Sequence, residues 1–302
     1  MRNGSSFALL QTGLAAALWG TSFPVVTIGI RGGLEPLVFF ALRFAIAAPL
    51  MLGMARALGK RTGALFRSRG IWIVGGFNAL GFLCQFIGQQ HTGASVAALL
   101  TNVSVVLAAV GAAVFLNEKL GGLKVAGVLL AFAGTALLTT GGDIGSIASS
   151  EAFGDVLYLV AAASWAGYIV YSKRRMEEEG WDPLAAAACI VTVTAILAVP
   201  VAVLSPPRFS PTSVSVAAVV FTALFNTVIP FVLYQQGLRR LSASTSAVVL
   251  MLEIIVAVAI SVAFLGETMT PVAWAGALAV LGSVVLVSGI EVGRPRPRLA
   301  DQ

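Results

Sequence analysis

The chain has 302 residues, 58% of them hydrophobic and 11% charged, with a mean hydropathy of +0.94. That composition excludes a soluble globular protein and leaves no room for a soluble domain. The net charge of +6 would suit a nucleic-acid partner, but the basic residues follow the gaps between apolar runs, so the charge reads as membrane topology and no nucleic-acid binding is expected.

Ten apolar stretches long enough to cross a bilayer follow one another, separated by short turns of Gly, Pro or charge. The first, 7–30, holds Trp19, Gly20 and Pro24, and its length and Trp19 fit a retained span better than a cleaved signal peptide. The second, 34–58, opens on Glu35-Pro36-Leu37 and buries Arg43. The third, 71–90, sets Asn78, Phe82, Gln85 and Gln89 on one stripe at steps of four, three and four residues, before a turn at His91. The fourth, 94–116, opens on Ala94-Ser95, carries Asn102 and closes on Glu118; the fifth, 122–140, spaces Gly127 and Gly134 by seven.

The sixth, 154–173, carries Trp165, Tyr168 and Tyr171, and the seventh is 183–204. The eighth, 213–237, sets Asn226, Pro230 and Tyr234 on one stripe. The ninth, 242–265, opens on Ala243-Ser244, buries Glu253 and closes on Glu267, and the tenth, 270–290, spaces Gly282 and Gly289 by seven. Such continuously apolar runs specify a helical bundle rather than a barrel. Cys84 and Cys189 both fall inside runs and give neither a disulfide framework nor a metal site, and no cofactor is implied.

The two halves repeat one another. Ala94-Ser95 matches Ala243-Ser244 and Glu118 matches Glu267, each at an offset of 149; Trp19 matches Trp165 at 146, and Glu35-Pro36-Leu37 matches Asp182-Pro183-Leu184 at 147. An odd number of spans per half inverts the second copy, so the reading is an all-α membrane protein of ten transmembrane helices in two inverted five-helix repeats, 1–141 and 142–302. With both termini in the cytoplasm, Arg56, Lys60, Arg61, Arg67, Arg69, Lys119, Lys124, Lys173, Arg174, Arg175, Arg239 and Arg240 fall in inner loops. Arg2, Arg294, Arg296 and Arg298 fall in inner tails, and only Arg31 and Arg208 lie outside, where the loop between spans five and six carries Asp143, Glu151 and Asp155. That asymmetry is the positive-inside pattern, here of a bacterial inner membrane protein.

Leu18-Trp19-Gly20-Thr21-Ser22-Phe23, Leu42-Arg43-Phe44, the paired Ala-Ser openings, the paired glutamates and the glycine-rich fifth and tenth spans together resemble the drug/metabolite transporter superfamily, in its ten-span branch with two EamA-type domains. Within it the chain looks most like exporters of amino acids and related metabolites, those of aromatic amino acids nearest. The resemblance implies alternating access through a central cavity lined by spans one, three, four, six, eight and nine. One departure stands out: the proline the family usually carries midway along spans four and nine is replaced by Val103-Ser104-Val105 and Glu253-Ile254-Ile255, which removes the usual cause of a kink there.

The candidate substrate-binding residues are Trp19, Gly20, Asn78, Phe82, Gln85, Asn102, Trp165, Tyr168, Asn226 and Tyr234. Intramembrane amides must face inward, either to a ligand or as glue between helices. Pro24 and Pro230 deprive the carbonyls of Gly20 and Asn226 of their helical donors, which offers acceptors to a substrate ammonium or a packing kink. Trp19 and Trp165 sit roughly 18 Å into their spans at helical rise, deep enough for stacking in a cavity rather than service in an interfacial belt.

Arg43 and Glu253, the two charges within spans, lie about 10 Å and 15–18 Å from the outer ends, close enough in depth for an ion pair or for proton coupling by Glu253. Glu118 and Glu267 suggest a shared structural task against a neighbouring helix end. The glycine stripes suggest close packing between the halves of a monomer. The function read here is export of small metabolites, amino acids first, with a broad drug or toxic-cation exporter and a channel as alternatives. An enzyme is not expected, because no nucleophile, metal or paired-carboxylate constellation is present.

Overall fold

In the computed structural model the described residues are 2–143, 145, 152–204, 210–265 and 268–293, with backbone only at 2, 3, 94, 95 and 265. Glu151, Arg208, Gly266, Glu267, Arg294, Arg296 and Arg298 lie outside them, as do the side chains of Arg2, Ala94, Ser95 and Leu265. The described residues contain ten helices long and apolar enough to cross a membrane, spans one to ten: Gly4–Arg31, Pro36–Ala57, Arg69–Gly88, Val96–Phe115, Gly122–Thr140, Ala152–Glu178, Pro183–Leu204, Ser213–Arg240, Ala243–Phe264 and Pro271–Gly293.

The repeated acid-proline-leucine step is a helix start. The Glu35 side chain caps span two, accepting from Val38 N at 3.0 Å, and Asp182 caps span seven, accepting from the Leu184 and Ala185 amides at 3.1 Å each. In both, proline occupies the first helical position, where its missing N–H is not needed. Asp182 also takes Lys60 Nζ at 2.8 Å. Burial opposes ionisation of Asp182, but the Lys60 hydrogen bond and the capped amides prevail and hold its carboxyl below the usual range.

Three spans are broken near mid-membrane. Span one is two helices, Arg2–Gly20 and Ser22–Arg31, and span eight is Ser213–Ala223 and Ile229–Arg240 around one π turn, Leu224–Val228. Pro24 and Pro230 account for these two breaks. Span nine divides into Ala243–Leu250 and Leu252–Leu265, with Met251 between them in tight bonds of Met251 N to Val248 O and Ile254 N to Met251 O at 3.1 and 3.2 Å. The absence of proline therefore does not keep span nine straight, whereas span four runs unbroken from Ala94 to Phe115. The span-nine break packs against the span-one break, where a Cβ on Gly20 would come within 2.9 Å of Val256 Cβ.

The packing has the order of two copies. Span three lies on six and span eight on one; span four lies on six and nine on one; span three lies on seven and eight on two. Spans two and seven, and five and ten, pair with their own counterparts. Adding five to each span number maps this pattern onto itself, as expected of inverted five-helix repeats. Spans five and ten meet where a Cβ on Gly134 would lie 2.9 Å from both Gly276 O and Val280 N. The seven-residue stripe is thus half right: Gly127 and Gly134 face span ten, but Gly282 and Gly289 face open space and Gly276 makes the contact. Large exposed apolar side chains, among them Leu129, Leu204, Phe264 and Leu278, coat the outside. Cys84 and Cys189 are buried free thiols.

Candidate functional site

The irregular points of spans one and eight are joined to span two by one polar node. Pro230 offers no N–H to the Asn226 carbonyl, which accepts instead from Trp19 Nε1 at 2.9 Å and from an Arg43 guanidinium nitrogen at 2.6 Å. Arg43 Nε donates to Thr227 Oγ1 at 2.7 Å, and that hydroxyl donates to Thr222 O at 3.1 Å. The Asn226 amide donates back to span one, to the Leu18 carbonyl and to Thr21 Oγ1, the latter at 2.8 Å. Broken backbone at membrane depth is tolerated because each break supplies the other's partners.

This revises two expectations. Both lone pairs of the Asn226 carbonyl are taken by the protein, so that atom is no free acceptor for a ligand. Arg43, only 2% exposed, rests on neutral oxygens and on the faces of Phe44 and Phe82, at 5.6 and 5.4 Å from the ring centroids. Glu253, half-buried just past the span-nine break, acts on it through space and makes no ion-pair contact with it among the described residues.

Around the node runs a chain of rings. Trp165 meets Phe82 at 5.8 Å, Phe82 meets Phe44 at 5.2 Å, Phe44 meets Phe231 at 6.2 Å and Phe231 meets Trp19 at 5.5 Å, all close to edge-on. From Trp19 it continues to Tyr234 at 5.5 Å and to Tyr168, stacked on Tyr234 at 6.0 Å. The two tryptophans of the repeat therefore stand in one aromatic layer contributed by both halves. Tyr168 OH accepts from Gln235 Nε2 at 2.9 Å.

Three polar atoms in or beside this layer are buried without a hydrogen-bond partner in the protein: Asn226 Oδ1, Tyr234 OH and Gln235 Oε1. Each such atom costs about 1–3 kcal/mol when neither protein, water nor a ligand meets it.

The layer gathers Trp19, Phe82, Trp165, Tyr168, Asn226, Tyr234 and Arg43. It does not gather Asn78, which donates to Thr194 Oγ1 of span seven at 2.9 Å, or Asn102, which donates to Ala98 O of its own helix at 2.6 Å. The Asn78 bond joins two spans, the Asn102 bond stays within its own helix, and Gly20 lies at the close approach to Val256. Gln85 is half-buried one turn beyond Phe82. Sequence reasoning missed Phe44, Phe231, Thr227 and Gln235; the first two adjoin Arg43 and Pro230, and that adjacency was the available signal.

Burial along span nine is asymmetric. The start of span nine, Ala243 to Val249, is at most 2% exposed at every residue and packs on spans one, four, five, six, eight and ten. Its second half, from Leu252, packs on spans one and ten and is half-exposed along nearly its whole length. The start of span nine is thus enclosed on all sides at the end of the molecule that holds the N-terminus. Two apolar clefts open sideways, about 260 Å³ between spans three and seven and about 460 Å³ between spans two and seven. Only Phe40, on the wall of the smaller one, links either to the rings.

The model of the EamA-like transporter family matches residues 6–140 and again 152–289. An uncharacterized transporter of Archaeoglobus fulgidus is 29% identical over 282 residues, 93% of this chain and 86% of its own length. A probable terminal-alkyne amino-acid exporter of Streptantibioticus cattleyicolor is 25% identical over 291 residues, 94% of each chain. The uncharacterized inner membrane transporter YedA of Escherichia coli is 25% identical, over 90% of this chain and 87% of its own. A solved crystal structure superposes with a TM-score of 0.81 at 20% identity, covering 94% of this chain and 98% of that one, a likeness of fold alone. Two matches of one transporter model on a ten-span bundle leave no doubt of the class: the chain belongs to the EamA-like transporter family and is a multi-pass membrane transporter, not an enzyme.

Proposed function

We propose that this transporter exports amino acids or related small metabolites with an aromatic or bulky apolar side chain, by alternating access between the halves 1–141 and 142–302. The observation that carries the reading is the shared ring layer with three unpartnered polar atoms beside it. An apolar side chain stacks among Trp19, Phe82, Trp165 and Tyr168, and an ammonium is met by Asn226 Oδ1, Gln235 Oε1 and Tyr234 OH. The amino-acid exporter among the relatives supports the same substrate class. In this reading the protein is a monomer in a bacterial inner membrane with both termini in the cytoplasm.

Glu253 couples export to the proton gradient in the same reading, since it is the carboxylate that stands at the span-nine break without a contact cation among the described residues. One assay tests both points. Proteoliposomes are given labelled amino acids and cationic dyes, with and without an imposed pH gradient. Saturable counterflow of an aromatic amino acid, faster under the gradient, is expected. Flux that never saturates points to a channel, dye in place of amino acid to the drug-exporter alternative, and indifference to the gradient removes the role of Glu253.

A further inference from the structure

The start of span nine is fastened by groups from three other spans. Glu118, just past the end of span four, accepts from Ala243 N at 2.6 Å, Ser244 N at 3.4 Å and Ser244 Oγ at 2.6 Å. Glu291, near the end of span ten, accepts from Ser242 N at 3.0 Å and from the hydroxyls of Ser242 and Thr245 at 2.8 Å each. Lys124 of span five, 1% exposed, lies 3.8 Å from each carboxylate and donates to Ser242 Oγ at 2.7 Å. The first N–H groups of a helix have no partner within it, and here carboxylates of other spans supply them.

A second observation concerns the same end of the molecule. Beyond the ring layer toward the N-terminal face, Ser246 Oγ of span nine and Ser172 Oγ of span six are fully buried and have no hydrogen-bond partner, like Gln235 Oε1 and Tyr234 OH of span eight. Spans six and eight both pack on the start of span nine. Polar atoms left dry in this way carry a standing penalty that water would relieve, so the tightly packed end of span nine stores a polar surface suited to a wet path. Packing that releases such atoms to water favours a second arrangement of the same parts.

We propose that Ala243–Leu250 is the gate to the N-terminal face, that Glu118, Glu291 and Lys124 latch it shut, and that it swings at Met251 to expose Ser246 and Ser172. Opening breaks the hydrogen bonds at the helix start and the packing of Ala243–Leu250 on its neighbours; the second half of span nine keeps its contacts with spans one and ten. The gate belongs to the exporter reading above in what passes through it, but its motion is measured without substrate.

In a chain carrying Cys84→Ala and Cys189→Ala, Ser246→Cys is exposed to a membrane-impermeant maleimide applied to one face of sealed vesicles at a time. Slow labelling from the N-terminal face is expected for the latched protein, rising about tenfold or more with Glu118→Gln and less with Ser244→Ala, because one charge-assisted bond is enough to shift a two-state balance by that factor. Unchanged labelling in the latch variants, or labelling from the opposite face, overturns the gate. Should Glu118→Gln not fold, Ser244→Ala decides alone. Faster labelling with no amino-acid counterflow would sink the exporter reading and leave the gate standing, and intact counterflow with unchanged labelling would do the reverse.

Discussion

Among the described residues Arg43 and Lys124 are the most deeply buried cations, and they are held in opposite ways. Arg43 sits at mid-membrane on a backbone carbonyl, a hydroxyl and two ring faces. Lys124 sits near the N-terminal face between two carboxylates, Glu118 and Glu291. The neutral acceptors of Arg43 exist because prolines broke the helices, and they remain satisfied in part by Trp19 if the arginine goes. Lys124 donates to the neutral Ser242 Oγ, but the carboxylates 3.8 Å away on either side are charges, and they repel one another once it is gone. The first arrangement belongs to a scaffold; the second belongs to something that can be released.

The sharpest way to break the comparison is Lys124→Met. It strands two partly buried carboxylates close together, and removing one partner of a buried ionic cluster costs about 3–5 kcal/mol. A large loss of thermal stability in detergent is expected, with most of it restored when Glu118→Gln and Glu291→Gln are added. Equal loss in the single and triple variants would show that Lys124 acts through packing of its stem and not through charge.

Arg43→Met comes next and is expected to cost about 1–2 kcal/mol, because the loss of two hydrogen bonds and of the ring contacts is offset by ending the burial of a charge. Unfolding of the same preparation measures it. A loss as large as that of Lys124→Met would mean that Glu253, acting on Arg43 through space, is as dependent on its cation as Glu118 and Glu291 are on theirs.

How far the sequence showed this differs from region to region. The ten spans and their fivefold step were visible because lipid forces continuous apolar runs and the duplication kept its landmarks. Glu35 and Asp182 could be found as helix starts because the capping acid and its proline are neighbours in the chain. The break in span nine could not, since Met251 carries no breaker and the turn lies against span one, a contact far apart in the chain. Lys124 read as one more inner-loop charge and Glu291 went unremarked. What joins them is a meeting of spans five, nine and ten that no local pattern records. Among the amides, polarity marked Asn78, Asn102 and Asn226 alike, and only the folded arrangement separates Asn78, bonded to span seven, and Asn102, bonded within its own helix, from the one beside the rings.

The smallest expected effect isolates the scaffold side of the comparison. Trp19→Phe keeps a ring against Phe231 and Tyr234 but removes the indole N–H that donates to Asn226 O. Arg43 still serves that carbonyl, so the stability cost is expected at about 1 kcal/mol, the net worth of one ordinary buried hydrogen bond. Substrate affinity should fall by more than that, since the smaller ring gives up stacking area as well. Trp165→Phe provides the control: no hydrogen bond from its indole to the node exists, so only the stacking loss remains. If the two variants lost stability equally, the Trp19–Asn226 bond would contribute nothing to holding spans one and eight together. If only Trp19→Phe lost stability while both lost affinity, the two tryptophans that the repeat made alike would have been parted in role by a single proline, Pro230.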